Sequence, residues 1–263
     1  MKDILEEIIA WKRIEVEQMK GAKSERTIHK EVEKLLDDKV ASLKTSIKNA
    51  STGIIAEFKR KSPSKGWIKE DGKPEEIPLS YQQNGATGIS ILTDNRYFGG
   101  SDEFIQIARN SGVTLPILYK NFIIDEYQLF QARFCGASTI LLIAACFKKD
   151  EYKILLHTAH ELGLEVLLEM HNQSELEYAD NEPDLWGINN RNLGTFITDV
   201  QNSFDLAPMM PQDAIKVSES GISNSETVKA LKLAGYKGFL IGENFMKTNQ
   251  PGEALKQDRK SVV

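Results

Sequence analysis

Cysteine is nearly absent from these 263 residues: there are two, Cys135 and Cys146, with ten residues between them and apolar neighbours. That spacing fits neither a CxxC redox pair nor a zinc cluster, so both read as buried thiols. Histidine is scarce too, four in all, and His157 and His160, three apart in a helical segment, have no acidic or cysteine partner with them at the strand ends. A metal-free protein is expected. A basic excess is lacking: 33 Lys and Arg stand against 38 Asp and Glu, a formal charge of −5, with no Lys/Arg block. Nucleic acid is thereby disfavoured as a partner. Long hydrophobic runs are missing as well, since the longest, residues 139 to 147, is far short of the roughly 20 residues that cross a bilayer. The first thirty residues carry no signal-peptide core. Together these absences predict a cytoplasmic protein with no membrane partner.

Proline is absent from residues 1 to 50, which hold a single glycine, Gly21, and many charges. The stretch reads as helix, with Leu5, Ile8, Ile9, Val16 and Met19 on one face and Lys12 the only charge in that stripe. It is expected to lie over a larger body. From Gly53 the texture changes to short apolar runs bounded by Gly, Pro, Asn or Asp, beginning near Ile54, Ile89, Ile117, Ser138, Leu164, Leu185, Ala214 and Gly238. These eight starts are 21 to 35 residues apart, room each time for one strand, one helix and two loops. Continuous rather than alternating apolar runs indicate strands covered on both faces, as in a parallel sheet. Helical signals fall between them, such as Ser225 to Ala234 ending at Gly235, a suitable residue just past a helix end. Eight βα units predict an α/β fold of the (β/α)8 barrel type over residues 51 to 257, with residues 1 to 50 as an N-terminal helical extension. The competing doubly wound sheet lacks support, because no Gly-x-Gly-x-x-Gly follows any run. Residues 258 to 263 are expected to be a frayed, disordered tail.

Barrel enzymes gather their chemistry at the C-terminal ends of the strands. Here those ends carry Glu57, Lys59, Lys61 and Ser62; Thr93 and Asp94; Lys120; Glu169; Asn189 and Arg191; Glu219 and Ser220; and Gly242 and Glu243. Only the fourth is apolar, at Ile143, Ala144 and Ala145. Loops are polar in any protein, but Glu57, Lys120 and Glu169 lie within or directly against apolar runs. A charge there is costly to desolvate unless it meets a polar cavity and a partner. Three carboxylates and two lysines converging on one rim supply those partners and form an acid/base set. Ser220-Gly221 and Gly242-Glu243, at consecutive strand ends, let backbone N–H groups approach a phosphate. Phe98 and Phe122 lie in polar loops near strand ends and suit a planar ring, whereas Trp67 and Trp186 fit core packing better. His171, just past Glu169, falls either at the site or on a solvated loop.

Seven motifs in order then carry a resemblance: Ile55-Ala56-Glu57-Phe58-Lys59-Arg60-Lys61-Ser62-Pro63-Ser64, Leu92-Thr93-Asp94 with Phe98-Gly99-Gly100-Ser101, Lys120-Asn121-Phe122-Ile123, Leu167-Leu168-Glu169-Met170-His171, Ile188-Asn189-Asn190-Arg191-Asn192-Leu193, Glu219-Ser220-Gly221-Ile222 and Leu240-Ile241-Gly242-Glu243. The chain resembles the indole-3-glycerol phosphate synthase family over about residues 1 to 255. The resemblance implies a carboxy-lyase of tryptophan biosynthesis that needs no cofactor. It would convert 1-(2-carboxyphenylamino)-1-deoxyribulose 5-phosphate to indole-3-glycerol phosphate, carbon dioxide and water. It further implies Lys120 as general acid, Glu169 as base, Glu57 and Lys59 in support, Asn189 on the sugar hydroxyls and Glu219 holding a lysine or hydroxyl in register. Phosphate would sit on Ser220, Gly221, Gly242 and Glu243 with Lys61 or Arg191, the ring on Phe98 and Phe122, and the ring carboxylate near Ser62. Tyr119, Asn121, Asp94 and Glu243 stand where the family often has Arg, Asp, Glu and Ser. The expected partner is a small-molecule sugar phosphate, and the expected state a monomer. Two other readings stay open: a different phosphate-binding barrel, either a phosphoribosyl anthranilate isomerase type or a Schiff-base aldolase using Lys59 or Lys120, and an inert barrel whose N-terminal helix docks a partner.

Overall fold

The computed structural model describes residues 4–192 and 194–262, so Leu193 of the fifth motif and Val263 of the expected tail lie outside the described residues. Eight parallel strands close on themselves: β1 (Ile54–Phe58), β2 (Gly88–Leu92), β3 (Ile117–Lys120), β4 (Thr139–Ile143), β5 (Glu165–Met170), β6 (Leu185–Asn189), β7 (Lys216–Glu219) and β8 (Tyr236–Ile241). Closure comes where β8 pairs with β1 in the register Ile54 to Phe239 and Ala56 to Ile241. Helices follow the strands and cover the outside. One of them, Ser225–Leu233, starts on an Asn224 cap that accepts the Thr227 N–H at 2.8 Å and is followed by Gly235 at φ 96°, the left-handed turn that glycine makes cheaply. The expected (β/α)8 barrel is the observed fold.

Side-chain direction along the strands decides what the barrel interior contains. Ile54, Ala56 and Phe58 pack with the helical layer, while Ile55 belongs to a second apolar cluster inside the barrel with Leu118, Leu141, Ile143, Leu167, Leu185, Val217 and Leu240. Successive strand residues face opposite ways, so each interior apolar residue fixes the direction of the residue two further on. Glu57, Lys120, Glu169, Gly187, Glu219 and Gly242 therefore turn inward at or near the strand ends.

The N-terminal extension closes both ends of this interior. Helix α1 (Ile4–Ala22) places Leu5 and Ile8 against Phe122 and the other interior side chains at the C-terminal mouth. Helix α2 (Glu25–Glu33) lies along the outer helix Glu126–Cys135. Helix α3 (Leu43–Asn49) inserts Leu43 and Ile47 at the opposite end, beside Gly88 and Gly238. A side chain at Gly238 would meet Val217 at 2.8 Å and Ile47 at 3.3 Å, so that glycine is the space α3 uses. Lys12, the odd charge in the apolar stripe of α1, is 1% exposed and donates to Asp94 at 2.7 Å. Asp94 itself caps the short helix after β2 by accepting the Tyr97 N–H at 2.8 Å. The stripe's one charge is thus a tie between the extension and the mouth.

The chain's end differs from the expected frayed tail. Pro251–Val262 is helical, with Leu255 fully buried. In the charged stretch after it the Arg259 guanidinium lies over the turn at Gly85, where a side chain would stand 2.8 Å from it. No helix among the described residues is long and apolar enough to cross a membrane.

Candidate active site

A cavity of about 460 Å³ opens at the C-terminal mouth of the barrel. Its wall contains Glu57, Lys59, Phe98, Lys120, Phe122 and Glu169. On the far side come Asn189, Arg191, Ser220, Gly221, Gly242 and Glu243. Residues that lie up to 186 positions apart in the sequence, from Glu57 to Glu243, meet around one space.

Lys120 is the centre of the charged set. Its Nζ donates to Glu219 Oε2 at 2.6 Å and lies 3.8 Å from Glu169 Oε2 and 4.0 Å from Glu57 Oε2. Lys59 Nζ donates to Glu57 Oε1 at 2.5 Å. Burial works against an ammonium at Lys120, but the charges of Glu219, Glu169 and Glu57 outweigh it and hold the group protonated well above the ordinary lysine range. For Glu57, burial favours the neutral acid, yet Lys59 and Lys120 reverse that and keep it below the usual carboxylate range. Glu219 goes the other way. Burial, with the nearby charges of Glu169 and Glu57, raises it against the pull of Lys120. Its Oε1 is buried without a hydrogen-bond partner among the described residues. Gly187 makes room for that carboxylate, since a side chain there would stand 2.5 Å from Glu219 Oε1 and 3.2 Å from the Leu168 carbonyl.

Glu169 is held by several groups. Asn189 Nδ2 donates to its Oε1 at 3.0 Å, and His171 Nε2 lies 3.2 Å from the same oxygen. Burial pushes Glu169 up, but His171, Lys120 and Asn189 together bring it well below the usual range. His171 is not on a solvated loop; its side chain is 11% exposed.

The glycine corner is shaped by close approach. Ser220 has φ 67° and Gly221 φ 75°, the left-handed region that a serine enters only at a cost. A side chain at Gly242 would run into the Glu57 side chain, 2.8 Å from its Cβ, so the glycine keeps the β8 end open where that carboxylate stands. Arg191 is steadied by Thr198 Oγ1 at 3.2 Å and points Nη2 to within 4.0 Å of Glu243 Oε2. On the opposite wall Phe98 and Phe122 stand 6.1 Å apart at 37°, and Leu141 and Ile143 extend the apolar surface.

Two expected contacts fall elsewhere. Lys61 and Ser62 are outside the cavity wall, because the chain folds back after Lys59 into a small hairpin that pairs Lys61–Ser62 with Gly66–Trp67. Lys61 Nζ instead donates to the Arg96 carbonyl at 3.1 Å, and the turn residues Pro63, Ser64 and Lys65 reach the cavity in their place. Lys65 forms an ion pair with Glu243 across the mouth. Trp67 and Trp186 are not in the wall; Trp186 packs against the core as expected, whereas Trp67 is 47% exposed on the small hairpin, with Arg60 and Lys61 over its ring. Sequence reasoning missed Ile4, Leu5 and Ile8, which form a roof from α1, and Phe196 and Thr198 from the loop after β6. The apolar stripe of α1 was a signal for the roof; nothing local marked Phe196 or Thr198. Tyr119 and Asn121, next to Lys120, make a network of their own: the Tyr119 hydroxyl donates to Asp102 at 2.7 Å and Asn121 Nδ2 to Thr93 Oγ1 at 2.8 Å.

The family model described as indole-3-glycerol phosphate synthase matches residues 5–257. A protein of that name from Bacteroides thetaiotaomicron is 55% identical over 262 residues, covering 100% of both chains. Another from Burkholderia lata is 43% identical over 257 residues, covering 97% of this chain and 98% of its own. Among solved structures, the 3-hexulose-6-phosphate synthase of Salmonella typhimurium aligns with a TM-score of 0.63 at 11% identity, covering 80% of this chain and 98% of that one. The thiamine phosphate pyrophosphorylase of Pyrococcus furiosus does so at 0.59 and 14%, covering 81% and 96%. At such identities these two attest the barrel alone. The family match over nearly the whole length and the full-length relatives go further: the chain belongs to the indole-3-glycerol phosphate synthase family.

Proposed function

We propose that the cavity closes the indole ring of 1-(2-carboxyphenylamino)-1-deoxyribulose 5-phosphate with the proton transfers divided among its lysines and carboxylates. The ring carbon bearing the carboxylate attacks the ribulosyl ketone. As the carbon–carbon bond forms, Lys120 gives a proton to the ketone oxygen, which becomes a hydroxyl. Carbon dioxide then departs, and its bonding electrons restore the aromatic ring. A second proton lets the hydroxyl leave as water while the nitrogen lone pair stabilises the cation. Glu169 finally removes a proton from the neighbouring CH2, and the electrons of that C–H bond form the double bond that makes the five-membered ring aromatic. One proton is consumed overall, so Lys120 must be resupplied, and Glu57, 4.0 Å from its Nζ, links it to Lys59 for that purpose.

The observation that carries this reading is the Lys120 ammonium, held in the cavity by three carboxylates within 4.0 Å and next to an apolar wall. A lysine kept protonated is an acid and a poor nucleophile, which argues against the Schiff-base alternative. In this reading Phe98 and Phe122 receive the anthranilate ring, Asn189 the sugar hydroxyls, and Ser220, Gly221, Gly242 and Arg191 the phosphate. Lys65 takes the part expected of Lys61. Glu243 then occupies Lys65 and Arg191 in the free protein, and the phosphate displaces its carboxylate on binding. The protein works on a small sugar phosphate.

The test is indole fluorescence appearing from the carboxyphenylamino sugar phosphate. The wild type is expected to turn over, and Lys120→Ala to lose about 10² to 10⁴ in kcat with a smaller change in KM. A fully active Lys120→Ala enzyme would remove the general acid from the scheme.

A further inference from the structure

His171 is a buried ionisable group that the reaction scheme does not use. It stands outside the cavity wall and reaches the site only through Glu169. Of the two Glu169 oxygens, Oε1 faces Asn189 at 3.0 Å and His171 at 3.2 Å, while Oε2 faces Lys120 at 3.8 Å. One oxygen thus has the Asn189 amide donor and, at ion-pair distance without a hydrogen bond, the His171 ring behind it, and the other is presented to the cavity.

The brace is itself fixed. Glu175 Oε2 accepts the His171 backbone N–H at 2.7 Å and lies 3.3 Å from Nδ1, so a single carboxylate sets both main chain and ring. Asn172 Nδ2 donates to the other Glu175 oxygen at 2.8 Å, and Asn202, on the helix after β6, donates to the His171 carbonyl at 3.1 Å. Charges alternate along the row: Glu175, His171, Glu169, Lys120. The other titratable neighbour is Cys146, past the end of β4, whose thiol burial pushes up to about 12, leaving it uncharged.

We propose that His171, oriented by Glu175, is a positioning residue that fixes the aim and the charge of Glu169 from outside the cavity. The inference rests on reading Glu169 as the base. Its physical basis is a charge count. The Lys120 ammonium is shared by Glu57, Glu169 and Glu219, so Glu169 has only part of one lysine charge before substrate arrives. The substrate brings a carboxylate and a phosphate of about two charges, and this excess of negative charge would drive Glu169 to take up a proton from solvent before the substrate offers one. A cation behind Glu169 counters that without touching the substrate. Glu169 and Glu175 overcome the burial that disfavours an imidazolium and raise His171 to about 10, so it carries its charge through the neutral range.

Glu169 is ionised above its depressed value and lost as a base below it. Taking away the His171 charge leaves burial as the largest influence, so the value rises and the acid limb of kcat, which reports the substrate complex, moves to higher pH. In His171→Gln the limb is expected at least about one pH unit above that of the wild type, with the loss at pH 6 exceeding the loss at pH 8. The substrate's own phosphate ionisation is common to both enzymes and cancels. In Glu175→Gln the imidazole resonances of His171 are expected to titrate well below about 10. An acid limb that stays in place in His171→Gln, at whatever rate, overturns the proposal and leaves His171 a packing residue. Should that variant not fold, the wild-type imidazole decides: titration near the ordinary histidine value overturns the proposal, and protonation persisting past pH 8 supports it. Glu169→Gln separates the two layers. If that variant keeps full activity, the base assignment itself fails; if it is inactive while the His171→Gln limb is unmoved, only the brace fails.

Discussion

The two ends of the barrel are closed by the same N-terminal extension in opposite ways. At the floor, α3 plugs the interior with Leu43 and Ile47 against Val217 and Gly238. At the mouth, α1 roofs the cavity with Ile4, Leu5 and Ile8, but its hold depends on a buried charge, Lys12, meeting Asp94. The floor has no chemistry to protect and is closed by shape and apolar contact. The mouth must keep Lys120, Glu57 and Glu169 ionised, so space is left there and polar groups are paired instead of excluded. One end is held by apolar contact and the other by a paired buried charge beside the reactive groups, an arrangement that substitutions can break.

The largest effect is expected at the charged tie. Lys12→Met strands Asp94, fully buried, without its cation, and removal of one partner of such a pair costs about 3–5 kcal/mol. Urea unfolding reads the loss, and turnover falls with it because the roof loosens; a variant as stable as the wild type would show that apolar contact holds both ends alike. At the floor, Leu43→Ala should cost about 2–5 kcal/mol while kcat at 25 °C stays within twofold. A large fall in kcat there would mean the two ends are not separable. The smallest effect is at the rim. Glu243→Ser frees Lys65 and Arg191 for phosphate and is expected to lower KM a few-fold with little change in unfolding midpoint, by the same fluorescence assay run at several substrate concentrations. A raised KM would mean that the Glu243 carboxylate helps the substrate instead of standing in for it.

Much of this was legible in the chain, for reasons that differ by element. Eight apolar runs with turn residues between them announce eight strands, because a strand buried on both faces must be apolar throughout. The same uniformity hides which residues face inward. Glu57, Lys120, Glu169 and Glu219 declare themselves only because a charge interrupts the run, and the residue two places earlier, Ile55, Leu118, Leu167 or Val217, turns out to be interior. Lys12 could be seen as an anomaly in its stripe, but its partner lies 82 residues away and no local pattern names it. Lys61 and Ser62 sit in the right segment yet miss the cavity, since a two-residue hairpin is decided by backbone pairing and not by composition. The C-terminal helix was illegible for a similar reason. Its last residues are mostly polar, and their neighbour across the fold, Gly85 against Arg259, lies far away in sequence.

The alternation of direction along the barrel strands also limits how this scaffold can change length. One residue inserted ahead of Glu57 within β1 would swing the carboxylate out among the helices and bring an aliphatic chain into the hollow; the same holds for Lys120, Glu169 and Glu219 in their own strands. Additions are harmless only in the connecting segments beyond the sheet. The barrel is therefore free to grow at its edges, whereas the spacing inside each stave is counted in twos.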